Sequence, residues 1–218
     1  MKLSLIITNY NREKTLARAI RSCLSQIIFR TSYEVIVVDD ASTDNSIHHI
    51  YEFDPDIRLI RNTRNMGVAF SSNLGVDSSS GEYWMRVDSD DFLNQFACVT
   101  MISILDSNPN IDFVYCDHVR VDEKGAKQEY VALDSTEKLL NHGAGVMFRR
   151  SLFEGIGRYD ENLKSAEDYD FLSRALNQGK VGFYLPIPLY RYYIHGGNMT
   201  LDPDRAEWVA LARKKNEI

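Results

Sequence analysis

The sequence has few cysteines, no long apolar run and no surplus of positive charge. Its three cysteines, Cys23, Cys98 and Cys116, are widely spaced and form no Cys-x-x-Cys pair, which favours a reducing, cytoplasmic setting. No window of the sequence approaches a membrane span, and the apolar run 3–7 is shorter than the core of a secretory signal. We therefore expect a cytoplasmic protein, with the inner face of the cell membrane as the alternative location.

The balance of charge argues against a nucleic-acid partner. The chain carries 25 lysines and arginines against 31 aspartates and glutamates, a formal net charge of -6. Binding to a phosphate backbone requires a surplus of basic residues on one face, so we expect no nucleic acid among the partners. The 218 residues contain no repeat and no low-complexity linker, and this length suits one sizeable core. A single domain over 1–218 is predicted.

The first half of the chain alternates between strand-like and helix-like patterns. Short apolar runs predict strands over 3–8, 33–38, 57–61 and 83–87, and apolar spacing predicts helices over 16–27, 44–53 and 68–78. Strands separated by helices of this length form right-handed βαβ units with a parallel sheet between two layers of helices. The first half is therefore predicted to be a Rossmann-like α/β unit.

The second half has a less regular pattern and is predicted to be mixed. Helices are expected over 94–105 and 167–177, and extended segments over 111–121, 128–131, 181–185 and 189–194. A stretch containing Gly143, Gly145, Gly155 and Gly157 is expected to be rich in turns. The residues from 204 onward are expected to form an amphipathic helical tail.

Acidic residues cluster where the fourth predicted strand ends. Asp88, Asp90 and Asp91 occupy three of four successive positions, with Ser89 between them. Carboxylates this close raise one another's pKa unless a cation offsets them, and Mg²⁺ or Mn²⁺ suits such oxygen ligands while phosphates and water fill the other positions. The alternative is a solvated cluster that caps the next helix.

Polar residues also follow the other strands, at the edge where parallel sheets bind ligands. Thr8, Tyr10 and Asn11 follow the first strand, and Asp39 follows the second. We interpret Asp39 as a ligand for a base or ribose hydroxyl, and its neighbours Asp40, Ser42 and Asp44 as helix caps. After the third strand, Arg64 is a better candidate for a ligand contact than the turn residue Asn65.

Two further candidates lie in the second half. Asp168, next to Glu167 at the start of a predicted helix, could act as a general base, or Ser165 and Asp168 could form a capping box. Spacing alone leaves both open. His195 precedes Gly196 and Gly197, and it is either a solvated loop residue or part of a flexible lid over a phosphate.

Five motifs in this order resemble glycosyltransferase family 2, an inverting family with the GT-A fold, and the resemblance runs through nearly the whole chain. They read LIITNYN at 5–11, EVIVVDDASTD at 34–44, RNTRNMG at 61–67, GEYWMRVDSDD at 81–91 and EDYD at 167–170. One departure concerns donor choice, because family members often carry an Arg before Asn73 where this chain has Ser71 and Ser72.

The resemblance implies a role for each matching residue. Thr8, Tyr10 and Asp39 would form the base pocket, continued by Arg64 and Asn65, with Asn11 and Ser89 completing the donor contacts. Asp88 would contact ribose and metal, and Asp90 would bind the Mn²⁺ or Mg²⁺ cofactor. His195 would be a third metal ligand or a phosphate contact. Asp168 would be the catalytic base, with Glu167 as its neighbour.

The resemblance also implies that different parts of the chain bind the donor and the acceptor. Residues 1–91 would bind a nucleotide diphosphate sugar, with UDP favoured, and 92–200 would bind a glycan or lipid-linked acceptor used in surface polysaccharide synthesis. The tail 201–218 could pack on the domain, touch a membrane surface or join a homodimer.

Two rival functions remain open at this point. One is a catalytically silent nucleotide-sugar binder or assembly subunit. The other is a sugar nucleotidyltransferase, which is disfavoured because residues 8–14 contain no glycine and so offer no glycine-rich phosphate loop.

Overall fold

A computed structural model describes residues 1–28 and 32–216. The strands within these residues are β1 Leu3–Asn9, β2 Tyr33–Asp39, β3 Arg58–Arg61, β4 Tyr83–Asp88, β5 Phe92–Leu93, β6 Phe113–Val121, β7 Lys127–Val131, β8 Val146–Arg149 and β9 Gly182–Tyr193. The α-helices are α1 Leu16–Leu24, α2 Ser46–Tyr51, α3 Val68–Ser78, α4 Ala97–Ser107, α5 Thr136–His142, α6 Arg150–Ile156, α7 Glu167–Asn177 and α8 Arg205–Asn216.

The strands form one sheet that is parallel in its first half and mixed in its second, as predicted. Its order is β3-β2-β1-β4-β8-β6-β9-β5, and β7 pairs with the edge of β6. The strands β1 to β4 run parallel, with Thr8 opposite both Val38 and Asp88. Beyond them β8 runs antiparallel to β4 and to β6, and β9 runs parallel to β6. The change of direction occurs beside β4.

Helices cover both faces of the sheet, which explains why β1 carries apolar residues on both of its faces. Every residue of β1 is buried. Leu5 and Ile7 face one cluster, which α1 and α4 complete, while Ile6 faces a second cluster that α3, α6 and α7 complete. Alternate side chains of a strand point to opposite faces, so a strand covered on both faces is mainly apolar. The polar residues of β1 are exceptions: Ser4 donates to Glu34 at 2.8 Å, and Thr8 and Asn9 line a cavity at the carboxyl end of the strand.

The second half departs from expectation in two places. The stretch expected to be turns contains α5, β8 and α6, which are seven, four and seven residues long. Elements of this length span too few repeats for a helical or strand periodicity to be visible. The segments expected at 181–185 and 189–194 are one strand, β9, whose register with β6 shifts near Asp117 and so accommodates Pro186 and Pro188.

The helix 167–177 is confirmed at both ends as α7, and the tail helix is present as α8. Trp208, Val209 and Ala212 of α8 pack against Ala166 and Tyr169 at the start of α7. The tail is therefore packed on the domain, and its residues 217 and 218 lie outside those described. No helix in the described part of the chain combines the length and apolarity that crossing a bilayer requires.

Strand β6 carries a buried histidine, His118, which lies close to His142 at the end of α5 and to Tyr192 in β9. His118 is 1% exposed, and neither of its ring nitrogens has a hydrogen-bond partner among the described residues. Its ring centroid lies 4.7 Å from that of His142 and 5.6 Å from that of Tyr192. Burial, followed by His142 and the charge of Arg120, lowers the pKa of His118 to about 3, so the folded protein keeps this imidazole neutral.

This low pKa makes His118 a source of acid sensitivity. Below pH 6.5 the unfolded chain binds a proton at this residue and the folded chain does not, until the pH approaches 3, so unfolding becomes more favourable as the pH falls. Between pH 7 and pH 5 we expect the free energy of unfolding to fall by roughly 2 kcal/mol less in His118→Phe than in the wild type. Urea unfolding at both pH values measures this, with His48→Phe on the exposed face of α2 as control. Equal losses in wild type and His118→Phe would contradict it.

Candidate active site

A cavity of about 340 Å³ opens at the carboxyl ends of β1 and β4. This is the edge at which open α/β sheets bind ligands. The loops after β1 and before α3 form one wall, and the turn after β4 and the start of α7 form the other. Eight of the predicted site residues line the cavity: Thr8, Tyr10, Asn65, Asp88, Ser89, Asp90, Glu167 and Asp168.

The three carboxylates after β4 have different surroundings. Asp91 is buried and accepts a hydrogen bond from the backbone N–H of Tyr193 at 2.8 Å, and burial together with Asp90 and Asp88 raises its pKa well above the usual value. It holds the end of β9 against the turn. Asp88 and Asp90 face the cavity instead, so the acidic cluster is divided between a structural residue and two residues accessible to a ligand.

Asp90 is already contacted by two basic side chains. Its Oδ2 lies 2.9 Å from Nε2 of His195 and 3.3 Å from Nε of Arg12. His195 does not itself line the cavity, and it reaches Asp90 from the loop after β9, while an amino group of Arg12 donates to the carbonyl of Gly197 in the same loop at 3.1 Å. The structure therefore brings Asp90 and His195 together across 105 residues of sequence.

A buried arginine joins the two acidic motifs. Arg86, in β4, places Nη1 at 2.7 Å from Oε1 of Glu167 and Nε at 3.3 Å from Oδ1 of Asp88. Burial alone would lower its pKa, but the carboxylates of Asp88 and Glu167 raise the pKa of Arg86 well above its usual value. Burial raises the pKa of both Asp88 and Glu167, and Arg86 opposes that change. The guanidinium thus ties the end of β4 to the start of α7.

Asp168 lies in the first turn of α7, and the capping box considered for it is not formed. The N-cap is Ala166, in the left-handed region at φ 65, and within the described residues it makes no side-chain capping bond. Ser165 Oγ instead accepts from Nη1 of Arg205 at 3.3 Å. Oδ1 of Asp168 accepts from the N–H of Tyr169 at 2.8 Å, which leaves Oδ2 free of a hydrogen bond within the described chain.

Three predicted residues lie beside the cavity rather than in its wall. Asp39 is fully buried, and it accepts from Nδ2 of Asn9 at 2.9 Å and from the N–H of Ser42 at 3.1 Å. Asn11 accepts from the N–H of Thr43 at 2.8 Å. Arg64 is exposed, with Nε 3.3 Å from the sulfur of Met66. Asp39 and Asn11 shape the loops behind the wall, and direct contact of Asp39 or Arg64 with a ligand would require these side chains to move.

Several residues of the wall were not among the predicted site residues. Asp40, interpreted as a cap, lines the cavity and accepts from the N–H groups of Met66 and Gly67, each at 2.8 Å. Five others are basic: Arg12, Arg86, His142, Lys164 and Arg205. The rest are neutral: Asn9, Gly67, Val68, Ser71, Tyr192, Asn198, Met199 and Thr200. Arg86 could have been found, because a charged residue in an otherwise apolar strand needs a buried partner. The other basic residues carry no local sequence signal.

The donors at the end of β4 fit a hard divalent cation. Within residues 1–28 and 32–216 no group of three or more potential metal-ligating side chains comes together. Mg²⁺ commonly takes only one or two carboxylates and leaves its other positions to phosphate and water. Asp90 and Asp88 supply two carboxylates, and His195 contacts Asp90, so this arrangement matches the coordination that Mg²⁺ prefers. The side chains present are therefore sufficient for a cation that binds together with a phosphate ligand.

Known proteins share both the sequence pattern and the fold. The family model described as glycosyl transferase family 2 matches residues 4–157. An uncharacterized glycosyltransferase of Haemophilus influenzae is 32% identical over 187 residues, which cover 81% of this chain and 62% of that protein. This chain therefore spans less than two thirds of that relative's length.

Two solved structures are similar in fold. TarS of Staphylococcus aureus in complex with UDP-GlcNAc has a TM-score of 0.81 at 24% identity, over 99% of this chain and 66% of that one. Mannosyltransferase PcManGT of Pyrobaculum calidifontis in complex with GDP-Man and Mn²⁺ has a TM-score of 0.73 at 20% identity, over 90% and 58% of the two chains. The predicted GT-A type of α/β fold is confirmed.

Gly143, which ends α5, packs directly against the carboxylate of Asp168. Its φ is +49, and a Cβ at this position would overlap Asp168. We expect Gly143→Ala to lower the free energy of unfolding by at least about 1 kcal/mol, because both the backbone and the contact are strained. Gly155→Ala, in α6 with open space around it among the described residues, should raise it by about 0.5–1 kcal/mol. Thermal unfolding compares the two, and equal effects would contradict the packing.

Proposed function

The chain belongs to glycosyl transferase family 2, and on that premise we propose that it transfers a sugar from a nucleoside diphosphate donor to a hydroxyl of an acceptor, with inversion at the anomeric carbon. One observation carries the proposal. The carboxylates at the end of β4 and those at the start of α7 face the same cavity, and Arg86 contacts both Asp88 and Glu167. A donor site and a base for the acceptor are thus in reach of one another.

We assign donor binding to residues 1–91. Thr8, Tyr10 and Asn65 line the cavity and would contact the base and ribose, with Asp39, Asn11 and Arg64 adjoining them. Asp88 and Ser89 lie closer to the position expected for the diphosphate. UDP is the favoured nucleotide, because the structurally similar TarS binds UDP-GlcNAc. The other neighbour binds GDP-Man, so GDP is the alternative.

Mn²⁺ or Mg²⁺ is the proposed cofactor, held by Asp90 with Asp88 and His195. When bound, the cation would act as a Lewis acid for the charge that develops on the departing diphosphate. The complex of PcManGT contains Mn²⁺, which supports this assignment. Arg12 contacts the same Asp90 oxygen as His195, so it would orient that carboxylate or share it with the cation.

Asp168 is the proposed general base. It takes the proton of the acceptor hydroxyl, whose oxygen then bonds to the anomeric carbon while the bond from that carbon to the diphosphate oxygen breaks. Glu167 is held by Arg86 at 2.7 Å and fixes the first turn of α7. Asp168 lines the cavity, and its Oδ2, which packs against Gly143, accepts no hydrogen bond within the described residues and so remains available to take a proton.

We place acceptor binding in residues 92–200, with the tail 201–218 contributing one wall through Arg205. A glycan or lipid-linked acceptor, used in surface polysaccharide synthesis at the cytoplasmic face of the membrane, is the proposed context. TarS is described as a poly(ribitol-phosphate) beta-N-acetylglucosaminyltransferase, which supports a cell-surface polymer as the class of product.

The base assignment is tested by Asp168→Asn. An amide cannot accept the hydroxyl proton, so we expect kcat to fall by about 10²–10⁴-fold while the Kd for UDP-GlcNAc stays within about twofold. Asp56→Asn, a matched change on the surface near β3, should leave both values unchanged. Turnover by Asp168→Asn at the wild-type rate would remove this residue from the role of base, and no turnover by the wild type across UDP- and GDP-sugars would favour a silent binding protein.

The cofactor assignment is tested by binding rather than by turnover. We expect Mn²⁺ to strengthen UDP binding by about tenfold or more, equivalent to about 1.4 kcal/mol, because cation and diphosphate bind together. Asp90→Asn should abolish that gain. Uridine, which lacks phosphates, should bind equally with and without Mn²⁺. Calorimetric titration of UDP gives the result, and an affinity unaffected by Mn²⁺ would contradict metal-assisted donor binding.

A further inference from the structure

Two of the four lysine and arginine side chains that line the cavity have no acidic partner. Arg12 contacts Asp90, and Arg86 contacts Asp88 and Glu167. Lys164 and Arg205 line the same cavity, yet among the described residues neither has a carboxylate oxygen within 4.0 Å. The chain as a whole carries a net charge of -6, so two unneutralised cations in one wall are a local feature that an anionic ligand would explain.

Arg205 is fixed in place by neutral groups. Its Nη2 donates to the backbone carbonyl of Asn141 at 3.0 Å and its Nη1 to Oγ of Ser165 at 3.3 Å. Ser165 is 3% exposed, so the second partner is a buried anchor. These two bonds leave other N–H groups of the guanidinium available, since an arginine has five. The side chain is therefore oriented without being neutralised.

The two cations are connected to the segments that hold the proposed base rather than to those around Asp90. Lys164 is next to Ser165 in sequence, and both come shortly before α7, which carries Asp168. Asn141, the other anchor of Arg205, is two residues from Gly143, against which the Asp168 carboxylate packs. The diphosphate position beside Asp90 has its own basic groups, Arg12 and His195.

We propose that Lys164 and Arg205 form a subsite for a phosphate group carried by the acceptor, close to the hydroxyl that reacts. This inference rests on the proposed function, because it takes Asp168 as the base. A guanidinium and an ammonium that line one cavity offer several charged N–H donors to the three free oxygens of a phosphate monoester. A phosphate held there would place a neighbouring hydroxyl of the same molecule next to Asp168. The acceptor is accordingly a phosphate-bearing polyol or glycan.

The test is a titration of protein saturated with UDP and Mn²⁺. We expect sn-glycerol 3-phosphate to bind saturably and glycerol not to bind detectably. Lys164→Gln combined with Arg205→Gln should weaken glycerol phosphate binding at least tenfold and leave the Kd for UDP within about twofold. Each single variant should have an intermediate effect. Lys124→Gln, in the exposed turn between β6 and β7 and outside the cavity, is the matched control and should bind both ligands as the wild type does.

The outcomes separate this subsite from the proposed function. If UDP binds the wild type but glycerol phosphate binds equally well to wild type and double variant, or not at all, the subsite is wrong and the donor site stands. If the double variant also loses at least tenfold in UDP affinity, the cations serve the donor diphosphate and the inference fails. Glucuronate binding as tightly as glycerol phosphate would overturn the assignment to phosphate. Failure of UDP itself to bind the wild type would instead contradict the proposed function.

Discussion

The buried contact of Arg86 with Asp88 and Glu167 is the interaction on which the candidate site depends. Arg86 belongs to β4 in the parallel half, and Glu167 begins α7 in the mixed half. Glu167 is buried, and a buried carboxylate is costly without a partner, so Arg86 stabilises Glu167 in place. Asp88 is more exposed and adds a second carboxylate to the same guanidinium. The same contact sets the distance between the turn after β4 and the first turn of α7, and hence the width of the cavity.

The cavity lies where the sheet changes direction. The parallel strands β1 to β4 supply carboxyl ends at one edge, as in any βαβ sheet. β8 runs antiparallel to β4, and the chain that follows β8 leads to α7. The start of α7 lies at the same edge of the sheet, where Glu167 and Asp168 line the cavity. The cavity residues of the parallel half therefore lie mostly at strand ends and on the loops that follow them. Those of the mixed half come from helix ends, from the end of β9 and the loop after it, and from Arg205 at the start of α8.

Sequence patterns predicted the architecture better than the individual contacts. Periodicity located β1, β2, β4 and α7 because those elements are long or mainly apolar, and it missed α5, β8 and α6 because they are short. The four-residue β3 is as short as β8 and was located through the regular alternation of strands and helices around it. The position of Asp88 and Asp90 at a strand end was enough to place them at the cavity. At the end of β2 it was not enough, because the side chains of the adjacent residues Asp39 and Asp40 point in different directions and only Asp40 lines the cavity. Which of them faces the cavity depends on the loop before α3, where Asp40 binds the backbone of Met66 and Gly67. The contact of His195 with Asp90 depends on the path of the chain after β9, and no local pattern encodes it.

The pairing of β1 with β4 limits how this site can diversify. Thr8 lies directly opposite Asp88, and neighbours in a sheet that stand opposite one another share a face. A shift of one residue in either strand would send one of the two to the far side of the sheet and expose an apolar neighbour in its place. Insertions and deletions are therefore confined to the crossovers between strands. A change in ligand preference would therefore come from substitution of side chains, while the register of β1 with β4 stays the same.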